Sequence, residues 1–115
     1  MYAVESKSVL KQALPLSQLV HGSPMFRFYS CESGYVLPGH KAELITGNVI
    51  KIPLGYRANI KLSLPKSKTQ YIKCKSHTID HHKQIPLTII IENISDQPIQ
   101  IEKGEVIGIL TLIDK

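Results

Sequence analysis

The chain has 115 residues, seven glycines, seven prolines, two cysteines, 43% hydrophobic residues and a formal charge of +5. That length suits one domain, able to bury about two-thirds of its unfolded surface in a single core, and two cysteines exclude a disulfide-framed scaffold. No apolar run reaches the ~18 residues of a membrane span, and Glu5, Lys7, Lys11 and Pro15 interrupt the start of the chain, so a soluble intracellular protein, cytoplasmic or nuclear and not secreted, is expected.

Residues 1–22 read as an extended N-terminal arm, because Val9, Leu10, Ala13 and Leu14 recur at helical spacing for one turn before Pro15 interrupts. From residue 23 to 115 the texture is that of one β domain. Sixteen isoleucines, six valines and five threonines stand against four alanines, and β-branched side chains fit a pleated surface better than a helix. Short strands are predicted at 25–29, 35–37, 42–46, 49–52, 56–64, 71–75, 85–93, 99–102 and 106–112. Pro38-Gly39, Pro53-Leu54-Gly55 and Lys103-Gly104 mark the turns between them. Many short strands with regular turn punctuation predict an all-β sandwich or jelly-roll-like barrel.

Two strand patterns differ. Over 56–64, Tyr56, Ala58, Ile60, Leu62 and Leu64 alternate with Arg57, Asn59, Lys61 and Ser63, so one face meets the core and the other meets solvent or a ligand. In Ile89-Ile90-Ile91 and in Val106-Ile107-Gly108-Ile109-Leu110, continuing to Leu112, both faces are apolar, which predicts cover on both sides and makes 106–112 a candidate subunit contact. Polar, lysine-rich 65–69 is expected to be a mobile loop.

Charge is distributed unevenly. Between Leu44 and Ile79 stand Lys51, Arg57, Lys61, Lys66, Lys68, Lys73 and Lys75, with no Asp or Glu. The run reads as a solvated face that keeps a β protein soluble, as a surface for acidic proteins, or as a nucleic-acid surface for which only Tyr56 and Tyr71 are at hand to stack bases. His77, Asp80, His81 and His82, with Cys74 nearby, admit a zinc site or a polar corner at the sheet end, and the histidines can make local charge depend on pH. Cys31 and Cys74 lack a basic partner at a nucleophile's spacing and read as unpaired thiols.

From about His21 to Ile113 the chain carries, in order, Gly22-Ser23, Leu37-Pro38-Gly39, Thr46-Gly47, Ile52-Pro53-Leu54-Gly55-Tyr56, Ile79-Asp80, the apolar strand ending at Asn93, and Lys103-Gly104-Glu105-Val106-Ile107-Gly108-Ile109-Leu110. This order of motifs resembles the trimeric dUTPase family. It implies a dUTPase-like β fold, a homotrimer, and Asp80 at the position of the family's general base. Departures fall on the chemistry. Arg27, in Met25-Phe26-Arg27-Phe28, stands where the family has a metal-supporting carboxylate. Leu62-Ser63-Leu64-Pro65 stands where a phosphate-binding Pro-Arg-Ser-Gly would cross between subunits, with Lys66-Ser67 as a shifted imitation. Lys83 occupies a tyrosine position, and a glycine-rich fifth motif has no counterpart up to Lys115.

Those departures lead to the expectation of a catalytically silent member, no enzyme and without a cofactor, of the kind some viruses keep for binding host or viral proteins. The alternative is a nucleotide binder or dUTP-hydrolysing enzyme with an altered site using Asp80 with Arg27 and Lys66, and Mg²⁺ belongs only to that alternative. A further alternative is nucleic-acid or acidic-surface binding through the basic 51–75 face.

Overall fold

The computed structural model describes residues 4–80 and 84–114. Eleven strands and one helical turn follow in chain order: β1 (Glu5–Ser8), β2 (Ser17–Gln18), β3 (Met25–Tyr29), β4 (Gly34–Val36), β5 (Lys41–Lys51), β6 (Tyr56–Leu62), α1 (Lys66–Thr69), β7 (Ile72–Lys73), β8 (His77–Asp80), β9 (Gln84–Asn93), β10 (Ile99–Ile101) and β11 (Val106–Asp114). They pair antiparallel into a four-stranded sheet in the order β1-β5-β9-β7, a five-stranded sheet in the order β2-β3-β11-β6-β8, and a β10-β4 ribbon. The chain is an all-β sandwich.

Alternation explains how the two sheets meet. Phe26 and Phe28 of β3, Ala58 and Ile60 of β6, and Leu110 and Leu112 of β11 are buried, and they face Ile50, Leu87, Ile89 and Ile91 of the four-stranded sheet in one apolar cluster. A fully buried aliphatic side chain contributes about 1.5–3 kcal/mol, so this layer fixes which way every intervening residue points. Arg27, between two buried phenylalanines, faces out; so do Arg57 and Lys61 on β6.

Several expectations change. The strands expected at 42–46 and 49–52 merge into the single strand β5, which ends at Lys51 and whose pairing with β9 shifts register between Ile45 and Val49. Gly47 sits in the shift at φ 72°, where a Cβ would come within 2.9 Å of Ala13 Cβ, so the bulge needs glycine both for its backbone and for its neighbour. Thr46 and Asn48 are buried beside it and pay no unsatisfied-polar cost, because Thr46 Oγ1 donates to Leu87 O at 2.9 Å and Asn48 Nδ2 to Leu14 O at 2.8 Å. The arm carries no helix: β1 pairs with β5 and β2 with β3. The expected loop at 65–69 closes into α1, with Lys68 N and Thr69 N both bonding Pro65 O.

The two strands read as covered on both faces are not. Ile90 of β9 is 58% exposed between buried Ile89 and Ile91. In β11, Ile107, Leu110 and Leu112 are buried, while Val106 and Ile109 are half-buried and Ile113 is exposed. A register shift between Val106 and Gly108 puts Gly108 against the Phe28 ring, and a Cβ there would lie 2.0 Å from Phe28 Cζ. The Asn that ends β9 has a structural reason: Asn93 is fully buried, donates to Val36 O at 2.8 Å and Gln97 O at 2.7 Å, and accepts from Ser95 N and Ser95 Oγ. It ties the turn after β9 to β4.

Candidate functional site

An open cleft of about 580 Å³ lies beside the four-stranded sheet. Thr88, Ile90 and Glu92, alternate residues of β9, form its floor; Lys73, Cys74, Lys75 and His77, on the segment from β7 into β8, form one wall, and Lys41 of β5 closes the rim. Register sets the charges: Lys41 and Lys73 stand on either side of Glu92 in one cross-strand row. The cleft therefore combines an apolar strip at Ile90 with three lysines and one carboxylate. Thr88 Oγ1 donates to Glu43 Oε2 at 3.3 Å, which turns its oxygen lone pairs toward other partners. Burial pushes the Cys74 thiol above the ordinary thiol range, and burial together with the Glu32 charge does the same for Cys31, so both stay protonated at neutral pH and neither is an activated nucleophile. Both cysteines are free.

A second surface is the outer face of the five-stranded sheet. Arg27 of β3 pairs with Ile109 of β11, which pairs with Lys61 of β6, so the two cations flank Ile109 in one row. Further along, Ile113, Arg57 and Asp80 make another row. Asp80 ends β8 and is exposed. Because side chains alternate along a strand, His77 and Asp80 leave β8 on opposite sides, His77 into the cleft and Asp80 onto this outer face.

The basic residues of 51–75 are thus dispersed. Arg57 and Lys61 lie on the outer face, Lys66 and Lys68 on α1, Lys73 and Lys75 in the cleft, and Lys51 between Glu5 and Gln84 in the other sheet. Lys68 makes the one ion pair found among the described residues, to Glu105 Oε2 at 2.8 Å, and also donates to Gln100 O at 2.7 Å. His81, His82 and Lys83 lie outside the described residues, and among those described no group of three His, Cys, Asp or Glu could hold a metal ion. Lys41, Thr88 and Glu92 of the cleft went unnoticed in the sequence; the signal that would have found them is the alternation Thr88-Ile89-Ile90-Ile91-Glu92, which leaves Ile90 on the polar side.

No protein-family model matches the chain. A curated relative, deoxyuridine 5′-triphosphate nucleotidohydrolase of Hydrogenobaculum sp., is 30% identical over 105 residues, spanning 88% of this chain and 72% of that protein. The chain belongs to the dUTPase family. Solved dUTPases share its fold: that of Staphylococcus bacteriophage 80alpha, bound to dUpNHpp, superposes with a TM-score of 0.85 at 20% identity, covering 100% of this chain and 84% of that one. A variant of the phage phi11 dUTPase, which coordinates a structural Mg(II) ion, gives 0.85 at 16% identity over 98% and 91% of the two chains.

The relative overturns the expectation of a silent, non-enzymatic member kept for protein interaction. It is named for the hydrolysis itself and aligns with most of the chain. The departures that the sequence resemblance sets at Arg27 and across Leu62, Ser63, Leu64 and Pro65 leave the strand that ends at Asp80 and the cleft beside it in place. Function resides in such a site, and residue types within it can change while the scaffold and its concavity persist.

Magnesium fits this donor set poorly. A hard divalent cation takes carboxylate, carbonyl and water oxygens, yet at residue 27, where the sequence resemblance implies a metal-supporting carboxylate, the chain has Arg27, and Asp80 stands opposite Arg57. A guanidinium there repels a cation that a carboxylate would hold.

Proposed function

We propose that the chain hydrolyses dUTP to dUMP and pyrophosphate at a site whose phosphate-binding residues are altered. The observation that carries this reading is the 30% identity over 105 residues to a protein named for that reaction. The cleft supports it. Its size of about 580 Å³ lies in the range of small-ligand pockets, its strip at Ile90 suits a flat base, and Lys73 and Lys75 suit an anionic ligand. Asp80 is the water-activating group: as the oxygen of water bonds to phosphorus, the α–β anhydride bond breaks, and the carboxylate takes the water's proton.

Since the cleft and Asp80 leave β8 on opposite sides, a complete site needs a second copy, whose outer face meets the cleft of the first. The homotrimer that the family resemblance implies would have three such junctions. The half-buried Val106 and exposed Ile113 of β11 belong to that contact in this reading.

Pyrophosphate release from dUTP, dCTP and dTTP, with light scattering on the same sample, tests the proposal. dUTP should be turned over in preference to the others by a particle three times the monomer mass. Asp80→Asn should lower kcat at least about 100-fold without changing the binding of deoxyuridine. A folded oligomer that releases pyrophosphate from none of the three nucleotides overturns the reading.

A further inference from the structure

We propose that the outer face of the five-stranded sheet holds a polyphosphate with the side-chain cations Arg27 and Lys61 and without a divalent metal. The proposal rests on the dUTP reading only for the identity of the natural ligand. Its geometry comes from register. Arg27 and Lys61 sit on the two strands that flank β11, both opposite Ile109, so their Cα atoms are about 10 Å apart, twice the spacing of neighbouring strands. Both are exposed and both are forced outward by buried neighbours, Phe26 and Phe28 for Arg27 and Ile60 for Lys61. Two long side chains at that separation can converge over Ile109 on one phosphoryl group, the guanidinium as a two-pronged donor and the ammonium as a point charge.

The surroundings favour an anion. Ser17 of β2 is the register partner of Arg27 on its other side, and its hydroxyl bonds the Tyr29 phenol, so a pair of hydroxyls borders the guanidinium. No carboxylate stands in the row. Asp80 and Asp114 belong to positions four and five residues further along β11, opposite Arg57 and Tyr56. Among the described residues neither Arg27 nor Lys61 is in an ion pair. The charge is therefore available to a ligand.

A carboxylate at position 27 would repel a polyphosphate and would need a metal ion between the two; Arg27 removes that need and disfavours the metal. The identity of residue 27 thus predicts metal dependence, and reversing its charge should reverse that dependence.

The test is calorimetric titration of tripolyphosphate, in EDTA and in Mg²⁺, into the full chain and its variants. The chain should bind with affinities within about three-fold of each other in the two buffers, and binding should weaken with added salt. Arg27→Asp should lose at least about ten-fold in EDTA and recover in Mg²⁺. K61Q, whose change at an exposed position keeps the fold, should weaken binding in both buffers alike. Binding by the unaltered chain only in Mg²⁺, or EDTA binding untouched by both substitutions, overturns the proposal. Turnover of dUTP is scored separately. Turnover with metal-dependent tripolyphosphate binding sinks this inference and spares the enzyme reading; EDTA-resistant binding without turnover does the reverse.

Discussion

The cleft beside β9 and the outer face across β11 both carry exposed cations around an isoleucine, yet their electrostatics differ. In the cleft Glu92 stands between Lys41 and Lys73, so the lysines are partly offset before any ligand arrives. On the outer face Arg27 and Lys61 flank the uncharged Ile109. The first arrangement suits a ligand that is mostly apolar with modest charge, as a nucleoside is; the second suits a concentrated negative charge, as a phosphate chain is. One strand connects them, because β8 gives His77 to the cleft and Asp80 to the outer face. Under the proposed function, with base and phosphate divided between these two surfaces, a neighbouring copy has to reunite them.

The most damaging way to break this arrangement is to deform β11 itself. Gly108 has no room for a methyl group, since its Cβ would lie 2.0 Å from Phe28 Cζ and 2.5 Å from Cε1, and the ring is fully buried with nowhere to move. Overpacking of a tight core costs 1–3 kcal/mol and more when backbone must shift. Gly108→Ala should lose about 3 kcal/mol or more, lowering Tm by roughly 12 °C or more. It should take polyphosphate binding with it, because Phe28 and Arg27 share β3. Thermal denaturation followed by circular dichroism reads the first effect. An unchanged Tm would show that β3 and β11 can slide apart, and the row of Arg27 and Lys61 would no longer be fixed.

How much of this was legible beforehand depends on range. Strand β6 and the outward direction of Arg27 and Lys61 follow from nearest neighbours, with a buried residue on each side of a charged one, and alternation alone reveals them. Strand β8 was missed because His77, Thr78 and Asp80 are polar and its one apolar residue, Ile79, gives no periodicity. α1 was missed because one turn is too short for a 3.6-residue pattern; what makes it a turn is Pro65, with φ at −55° and a carbonyl that accepts from both Lys68 and Thr69. The bulge at Gly47 needed the knowledge that Leu10 and Ala13 pack on it, a contact across more than thirty positions. The cleft is harder still: it exists only because β7 and β5 both pair with β9, in a register that composition does not encode. The reading of Arg27 as lost chemistry had a different basis: residue 27 alone shows only a reversed charge, and that Lys61 lies in line with it across Ile109 is a matter of register.

A milder change sharpens the contrast by touching one surface alone. Ile90 is 58% exposed and belongs to the cleft floor, so Ile90→Glu leaves the core intact and should alter stability by no more than about 0.5 kcal/mol. A carboxylate beside Glu92 removes the apolar strip and adds negative charge. Deoxyuridine binding should fall about ten-fold, the effect of replacing a buried apolar contact with an unpaired charge, while tripolyphosphate binding should stay as it was. Equal loss of both ligands would mean that the two surfaces are one site.

The smallest expected effect concerns the contact that holds α1 to β10 and the turn after it. Lys68 Nζ bonds Glu105 Oε2 at 2.8 Å and Gln100 O at 2.7 Å, with 26% and 18% exposure of the two charged side chains. Exposed ion pairs contribute about 0.2–1 kcal/mol, and partial burial with a second acceptor places this one near the top of that range. Glu105 also accepts from Glu102 N at 3.0 Å, which closes the turn between β10 and β11. Lys68→Ala should therefore cost about 1 kcal/mol; Glu105→Gln, which keeps a neutral acceptor for Glu102 N, should cost less. A double-mutant cycle by urea denaturation separates the pair from the turn, and a coupling near zero would leave α1 held by Pro65 alone. Because Lys68 is occupied by Glu105, neither substitution should change tripolyphosphate affinity beyond about two-fold, in contrast to Arg27, which is in no ion pair among the described residues.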